Sequence, residues 1–170
     1  MINTYITAFN EAILAHSTNF KKAVFGIAQS VFSGEDEFPY ITENGEDQHV
    51  FIDDAYDFGL YHKQKGISYV EDLTKGFGDN KRITEVQDIA LIAWGFMDKL
   101  TAEEFKDFIL SIAPTDIRFV SIILDKKTIF NTEFKGIDFM VNETIFLMQI
   151  NYKVQYVVKK QCLEINTKFN

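Results

Sequence analysis

Positions Ile2, Ile6, Phe9, Ile13, His16, Phe20, Val24, Ile27 and Val31 recur at steps of three and four. That spacing draws one apolar stripe and predicts an amphipathic helix over residues 2–32. His16-Ser17-Thr18-Asn19 interrupts it at a place where one helix can stop and another start, because Ser, Thr and Asn favour caps. Ser33-Gly34 closes the segment with glycine at the usual C-cap position. His16 falls on the stripe and reads as a partly buried core histidine.

Residues 35–82 lose this periodicity. Phe38-Pro39-Tyr40-Ile41-Thr42 and His49-Val50-Phe51-Ile52-Asp53 are short strand candidates, and Asn44-Gly45 between them is a hairpin signal because both residues accept positive φ. Residues 54–69 scatter Tyr and Phe among polar residues, and residues 54–82 as a whole read as an irregular, inserted segment of a single α+β domain spanning 1–170. The glycine-rich run Lys75-Gly76-Phe77-Gly78-Asp79-Asn80 has the wrong spacing for a phosphate-binding loop and reads as a mobile connection.

From Ile83 the pattern sharpens. Residues 86–97, with Ile89, Leu91 and Ile92, predict a well-buried strand ended by Asp98. Leu100-Thr101-Ala102-Glu103-Glu104-Phe105 carries a capping box between Thr101 and Glu104 and a hydrophobic staple between Leu100 and Phe105. Phe105, Phe108, Ile109 and Ile112 mark the buried face of a second helix over 102–113, stopped by Pro114. Residues 117–124 are rich in branched side chains and predict a strand, with 128–134 as its hairpin partner beyond the turn at Asp125-Lys126-Lys127. The longest alternation runs from 144 to 158. Phe146, Met148, Ile150, Tyr152, Val154, Tyr156 and Val158 lie on one face, and Gln149, Asn151, Lys153 and Gln155 on the other. A strand of that length, about 50 Å at ~3.3 Å per residue, either bends or projects past its own domain. The fold class expected is α+β, with the N-terminal amphipathic helix and the second helix packed on a mostly antiparallel sheet that ends in a long C-terminal strand.

Composition adds boundaries. The chain of 170 residues is 46% hydrophobic and 25% charged, with 17 Phe and two Pro, which excludes disordered, collagen-like and disulfide-stapled chains. The single cysteine, Cys162, leaves no intramolecular disulfide or Cys-based zinc site. The N-terminus lacks the basic and apolar regions of a signal peptide, and no window approaches the ~20 apolar residues of a membrane span, so a soluble cytoplasmic protein is expected.

Charge is unevenly spread. Residues 1–116 hold 9 basic and 20 acidic side chains, a balance of −11, whereas residues 117–170 hold 8 and 5, a balance of +3. Between Gly34 and His62 there are nine acids and no Lys or Arg. Direct nucleic-acid binding is not expected of such a chain, because phosphate contacts rely on clustered Lys and Arg. One reading of the acidic block is a solvated face. The other is a dipolar subunit whose acidic region meets the basic end of an identical neighbour, a head-to-tail contact that closes into a ring when the rotation permits.

Candidate chemistry is sparse. His49, Asp53, Asp54, Asp57 and His62 could in principle surround a cation, but their spacing matches no calcium loop or metalloprotease motif, and acidic surface with two exposed histidines is the simpler reading. Cys162 has no local His, no Gly-x-Ser-x-Gly elbow exists, and Asp88 and Asp98 merely flank a strand. The expectation is a non-enzymatic protein without cofactor or metal, whose seven Tyr, one Trp and 17 Phe supply core filler and an interface.

Taken together, the order of elements resembles the tail-terminator and head–tail joining (neck) proteins of tailed bacteriophages. The likeness lies in the opening helix, the Pro-containing strand with its acidic loop at Phe38-Pro39-Tyr40-Ile41, the strand–helix–strand run over 86–124, and the long alternating strand at the end. The chain departs in being somewhat long and in the apparent insertion over 56–82. The resemblance implies a virion protein that forms a homo-oligomeric ring, often sixfold, and contacts other tail or neck proteins. An acidic patch of Glu35, Asp36, Glu37, Glu46, Asp47, Asp53 and Asp54 would then meet Lys126, Lys127, Lys159 and Lys160 of the next subunit. The alternative expectation is a cytoplasmic acidic binding or immunity-type protein that neutralises a basic protein partner.

Overall fold

A computed structural model describes residues 2–33, 36–43, 46–50, 52–71, 83–134 and 143–158. The chain is α+β, as its periodicities predict. Helix α1 (Ile2–His16) is followed by strands β1 (Lys22–Ile27), β2 (Gln29–Ser33), β3 (Asp36–Glu43), β4 (Glu46–His49), β5 (Phe58–Glu71) and β6 (Ile83–Phe96). Helix α2 (Ala102–Ile112), strand β7 (Ile117–Ile123), helix α3 (Lys126–Glu133) and strand β8 (Ile145–Val158) complete it.

The main sheet runs in the order β1-β5-β6-β8-β7; β1 is parallel to β5 and every other pair is antiparallel. A smaller antiparallel sheet has the order β2-β3-β4. The middle of the main sheet is buried on both faces. Phe58, Leu60, Ile89, Leu91, Ala93, Met148 and Ile150 form one face, covered by Ile6, Phe9 and Ile13 of α1 and by Phe105 and Ile109 of α2. Tyr61, Ala90, Ile92, Trp94 and Leu147 form the other, covered by Ile129 and Phe134, by Ile41 of the small sheet and by Val50 just after it.

Two glycines admit cross-strand rings. A Cβ on Gly59 would lie 2.0 Å from the indole of its partner Trp94, and one on Gly95 would lie 2.5 Å from the ring of its partner Phe146.

Several expectations need correction. The first helix stops at His16, which is exposed and bonds the Ala12 carbonyl at 2.9 Å instead of entering the core. Ser17 donates to the Ile13 carbonyl at 2.5 Å and ends the helix. Beyond it, Val24 and Ile27 pack on one core while Ala23 and Phe25 pack on the other, so β1 alternates where a helix was predicted. Steps of three and four do not separate the two when the run is short and β-branched.

Residues 58–71 are not irregular but form a central strand paired with β6 along its whole length. Residues 128–134, predicted as a hairpin strand, belong largely to α3. The Thr128 hydroxyl bonds the Asp125 carboxylate at the helix start, and Phe130 stacks on Phe134 one turn later at 6.3 Å. Such i,i+4 pairs outweigh the β preference of Thr, Ile and Phe. The second short strand is Glu46–His49, so of the predicted segment His49–Asp53 only His49 belongs to it. Asn44-Gly45, bracketed by the pair Glu43↔Glu46, and the run 75–80 lie outside the described residues.

The second helix behaves as predicted. The Thr101 hydroxyl accepts from Glu104 N at 3.2 Å and the Glu104 carboxylate accepts from Thr101 N at 2.9 Å. Ala113, which precedes Pro114, is extended. Strand β8 pairs with β6 over all 14 of its residues, so its length is matched by β5 and β6 and does not protrude alone.

Candidate functional site

The structure scatters the residues selected by charge. Glu46 and Asp47 are exposed on β4, an edge strand, where Asp47 accepts from the Thr42 hydroxyl at 2.6 Å. Asp53 and Asp54 are exposed in the following turn, and Asp53 accepts from Ala55 N at 2.8 Å. Asp36 and Glu37 lie on β3 opposite Ser33 and Phe32. Lys126 and Lys127 open α3, with Lys127 exposed. Glu35, Lys159 and Lys160 lie outside the described residues. Helix α3 and the small sheet cover the same face of the main sheet, and α3 touches β3. The elements that carry the described acids and lysines therefore lie over one face of the main sheet.

The imagined cation site does not assemble. Asp57 is taken by Lys21 N at 2.8 Å, His49 is exposed on β4, and His62, expected at the surface, is fully buried. Asp88 pairs with Lys153 at 3.3 Å and Asp98 lies 3.5 Å from Lys99. Among the described residues no group of three or more His, Cys, Asp or Glu could hold a metal.

His62 instead anchors a polar relay beneath α1. Asn10 Nδ2 donates to the Phe25 carbonyl at 2.9 Å, which turns its Oδ1 toward His62 Nε2 at 2.8 Å. Flipping the amide would set its oxygen against the Phe25 carbonyl, where neither atom can donate. Oδ1 only accepts, so Nε2 carries the proton, and Nδ1 is left to accept from the Tyr152 hydroxyl at 2.8 Å. Phe9 closes over both rings, at 5.8 Å from His62 and 5.9 Å from Tyr152. Burial pushes His62 down to about 3 and pushes the Tyr152 phenol up. Neither exchanges a proton near neutrality, so the relay orients side chains and does not conduct.

A second polar group lies further along the same face. Gln64 bonds Gln87, and Gln87 and Tyr156 both bond Glu85. The Tyr156 hydroxyl holds the Glu85 carboxyl below its usual range, and Tyr5 of α1 stacks on Tyr156 at 6.2 Å. A cleft of about 570 Å³ opens beside these groups between α1, β1 and the small sheet. Its polar walls are Asn3, Thr7, Asn10, Gln29, Thr42 and Gln64, all uncharged.

On the opposite face Glu133 is 2% exposed and pinned to β5 by Lys63 and Lys65, each at 2.9 Å, with the Tyr61 hydroxyl at 3.4 Å. Burial pushes its carboxyl up, and the hydrogen bonds and charges of the two lysines outweigh that and hold it below its ordinary value. Charge reading missed this pair because the partners stand 68 and 70 residues apart. His62 was legible only through the alternation Leu60, His62, Gln64 within a strand not recognised as one.

The far end of the β5-β6-β8 ribbon carries large apolar side chains in solvent: Ile67, Tyr69, Val70 and Val157 are all more than half exposed. Among the described residues no helix is long and apolar enough to cross a membrane. No protein-family model matches the chain, and no curated protein is similar to it by sequence.

Proposed function

We propose that this chain is a non-enzymatic assembly subunit of the tail-terminator or neck type, which self-associates into a ring and joins phage tail to head. The observation that carries the reading is the end of the ribbon, where three strands of 14 residues present Ile67, Tyr69, Val70 and Val157 to solvent. Ile67 and Tyr69 stand on one face of that end, and Val70 and Val157 on the other; exposed apolar side chains grouped this way mark interaction surfaces. The order of elements that resembles the phage proteins persists in part: an N-terminal helix on the sheet, a Pro-containing strand, strand–helix–strand, and a long closing strand. In this reading the acidic patch that includes Glu46, Asp47, Asp53 and Asp54 meets Lys126, Lys127, Lys159 and Lys160 of the next copy.

Light scattering between 10 and 200 μM, with negative-stain imaging of any large species, tests it. A closed homo-oligomer supports the reading. A strict monomer overturns it and turns attention to the second reading, an acidic protein that grips a basic partner, which the exposed acidic edge of β4 favours. Charge reversal at Lys159 and Lys160 to Glu is expected to impair ring formation; unchanged assembly would remove those two residues from the contact.

A further inference from the structure

β1 pairs with β5 only as far as His62, whereas β6 pairs with β5 to its end at Glu71. Among the described residues, β5 beyond His62 is therefore hydrogen-bonded on one side only, and residues 66–71 form a free edge. Gly66-Ile67-Ser68-Tyr69-Val70 contains no charge and no proline. Its bulge, between Gln64 and Gly66, precedes the run without interrupting it. Ile67 is 51% exposed, Tyr69 61% and Val70 56%. Folded proteins ordinarily blunt such an edge with charges, prolines or a bulge inside it, because its unpaired N–H and C=O groups template another strand.

We infer that residues 66–70 of β5 pair with the same residues of a second copy, antiparallel about a two-fold axis at Ser68, to join two main sheets into one. This deepens the assembly reading and rests on its premise of self-association. The occupant follows from the register. A two-fold axis perpendicular to the sheet pairs residues on the same face, so Ile67 falls opposite the other copy's Tyr69, twice, and Ser68 faces Ser68. Ile67 and Tyr69 do share a face, since they stand opposite Gln87 and Glu85 of β6. A β-branched residue across from an aromatic is among the favourable cross-strand pairs. An isologous contact of this kind makes dimers, and a larger ring is built from such dimers through a second surface.

Cross-linking decides the matter. With Cys162→Ser removing the native thiol, Ser68→Cys places two thiols across the axis, where Cα separations of about 4.5–5.5 Å suit a disulfide. Mild oxidation is expected to give a covalent dimer from Ser68→Cys and none from Val120→Cys, an exposed control on β7. Ile67→Lys combined with Tyr69→Lys, both at exposed positions, is expected to keep the circular dichroism spectrum and lose the dimer. If the wild type associates but Ser68→Cys does not cross-link and the double lysine variant associates equally well, this edge is not the contact and the assembly reading survives without it. If the wild type is a strict monomer at 200 μM, both fall together.

Discussion

The hydrogen bond between Tyr152 and His62, 2.8 Å long, has a direction set by a group that neither residue touches. The Phe25 carbonyl accepts from the Asn10 amide, Asn10 therefore accepts from His62, and His62 must accept from Tyr152. Four elements of the chain order (α1, β1, β5 and β8) are tied by three bonds that all point the same way. A protonated ring would present a second N–H to the tyrosine hydroxyl, and among the described residues no carboxylate bonds the ring to answer the charge.

Acid is expected to destabilise the fold through this histidine. Its folded value of about 3 lies below the ordinary 6.5, so between those limits the unfolded chain binds a proton that the folded chain refuses. The contribution of the neutral ring is fully present above pH 6.5 and is lost as pH falls toward 3. The loss across that window is on the order of 2–4 kcal/mol. Urea denaturation at pH 7.0 and 4.5 reads it directly. His62→Gln is expected to be less stable at pH 7 and to flatten the slope, and an unchanged slope would mean that the acid sensitivity lies elsewhere.

Tyr152→Phe removes the donor to Nδ1 and leaves a buried acceptor alone. The expected cost is about 1–3 kcal/mol, with little change in packing because the ring remains. Asn10→Leu strands the ring N–H and the Phe25 carbonyl together and is expected to cost more. Chemical denaturation of both variants at pH 7 gives the order, and Tyr152→Phe as the worse of the two would contradict the directed relay.

The sequence carried some of this architecture and hid the rest for identifiable reasons. Helix α2 was legible because its cap, staple, buried face and stop are all local. Strands β6 and β8 were legible because their alternation or apolar runs are long. Strand β5 was not, because buried Leu60 and His62 alternate with Tyr61 and with lysines whose partner, Glu133, is distant in sequence. The relay joins residues 10, 25, 62 and 152, and nothing in the spacing of those residues announces a contact. Helix α3 was misread because Thr128-Ile129-Phe130 has strand composition, and only the i,i+4 pairing of Ile129 with Glu133 and of Phe130 with Phe134 shows its period.

Glu133 fastens α3 to the main sheet. Glu133→Leu keeps bulk and removes the charge, leaving Lys63 and Lys65 near each other. Both lysines are partly exposed and can turn to water, so the expected loss is about 1–3 kcal/mol and smaller than for a sealed ion pair. The carboxyl is depressed in the folded state, so its contribution is present above the ordinary value of 4.5 and is lost as pH falls through the folded value. Hydrogen exchange of α3 amides is the sensitive measurement. Faster exchange confined to α3 at pH 7 is expected, and uniform exchange across the sheet would show that Glu133 supports the whole fold.

Gly59→Ala tests how closely β5 and β6 approach. The added carbon would lie 2.0 Å from Cζ2 of Trp94, well inside van der Waals contact, and Trp94 is fully buried between the sheet and its α3-side cover. The indole must move or the strands must separate, and overpacking of this kind costs about 1–3 kcal/mol or more. Gly26→Ala is the control, since a carbon there meets nothing within 4 Å. Tryptophan fluorescence reports the displacement, because the chain has one Trp. Gly59→Ala is expected to shift the emission and lower the denaturation midpoint, and Gly26→Ala to do neither. Equal midpoints for the two variants would mean that the indole relaxes without cost, and that Gly59 is not what seats Trp94 on the sheet.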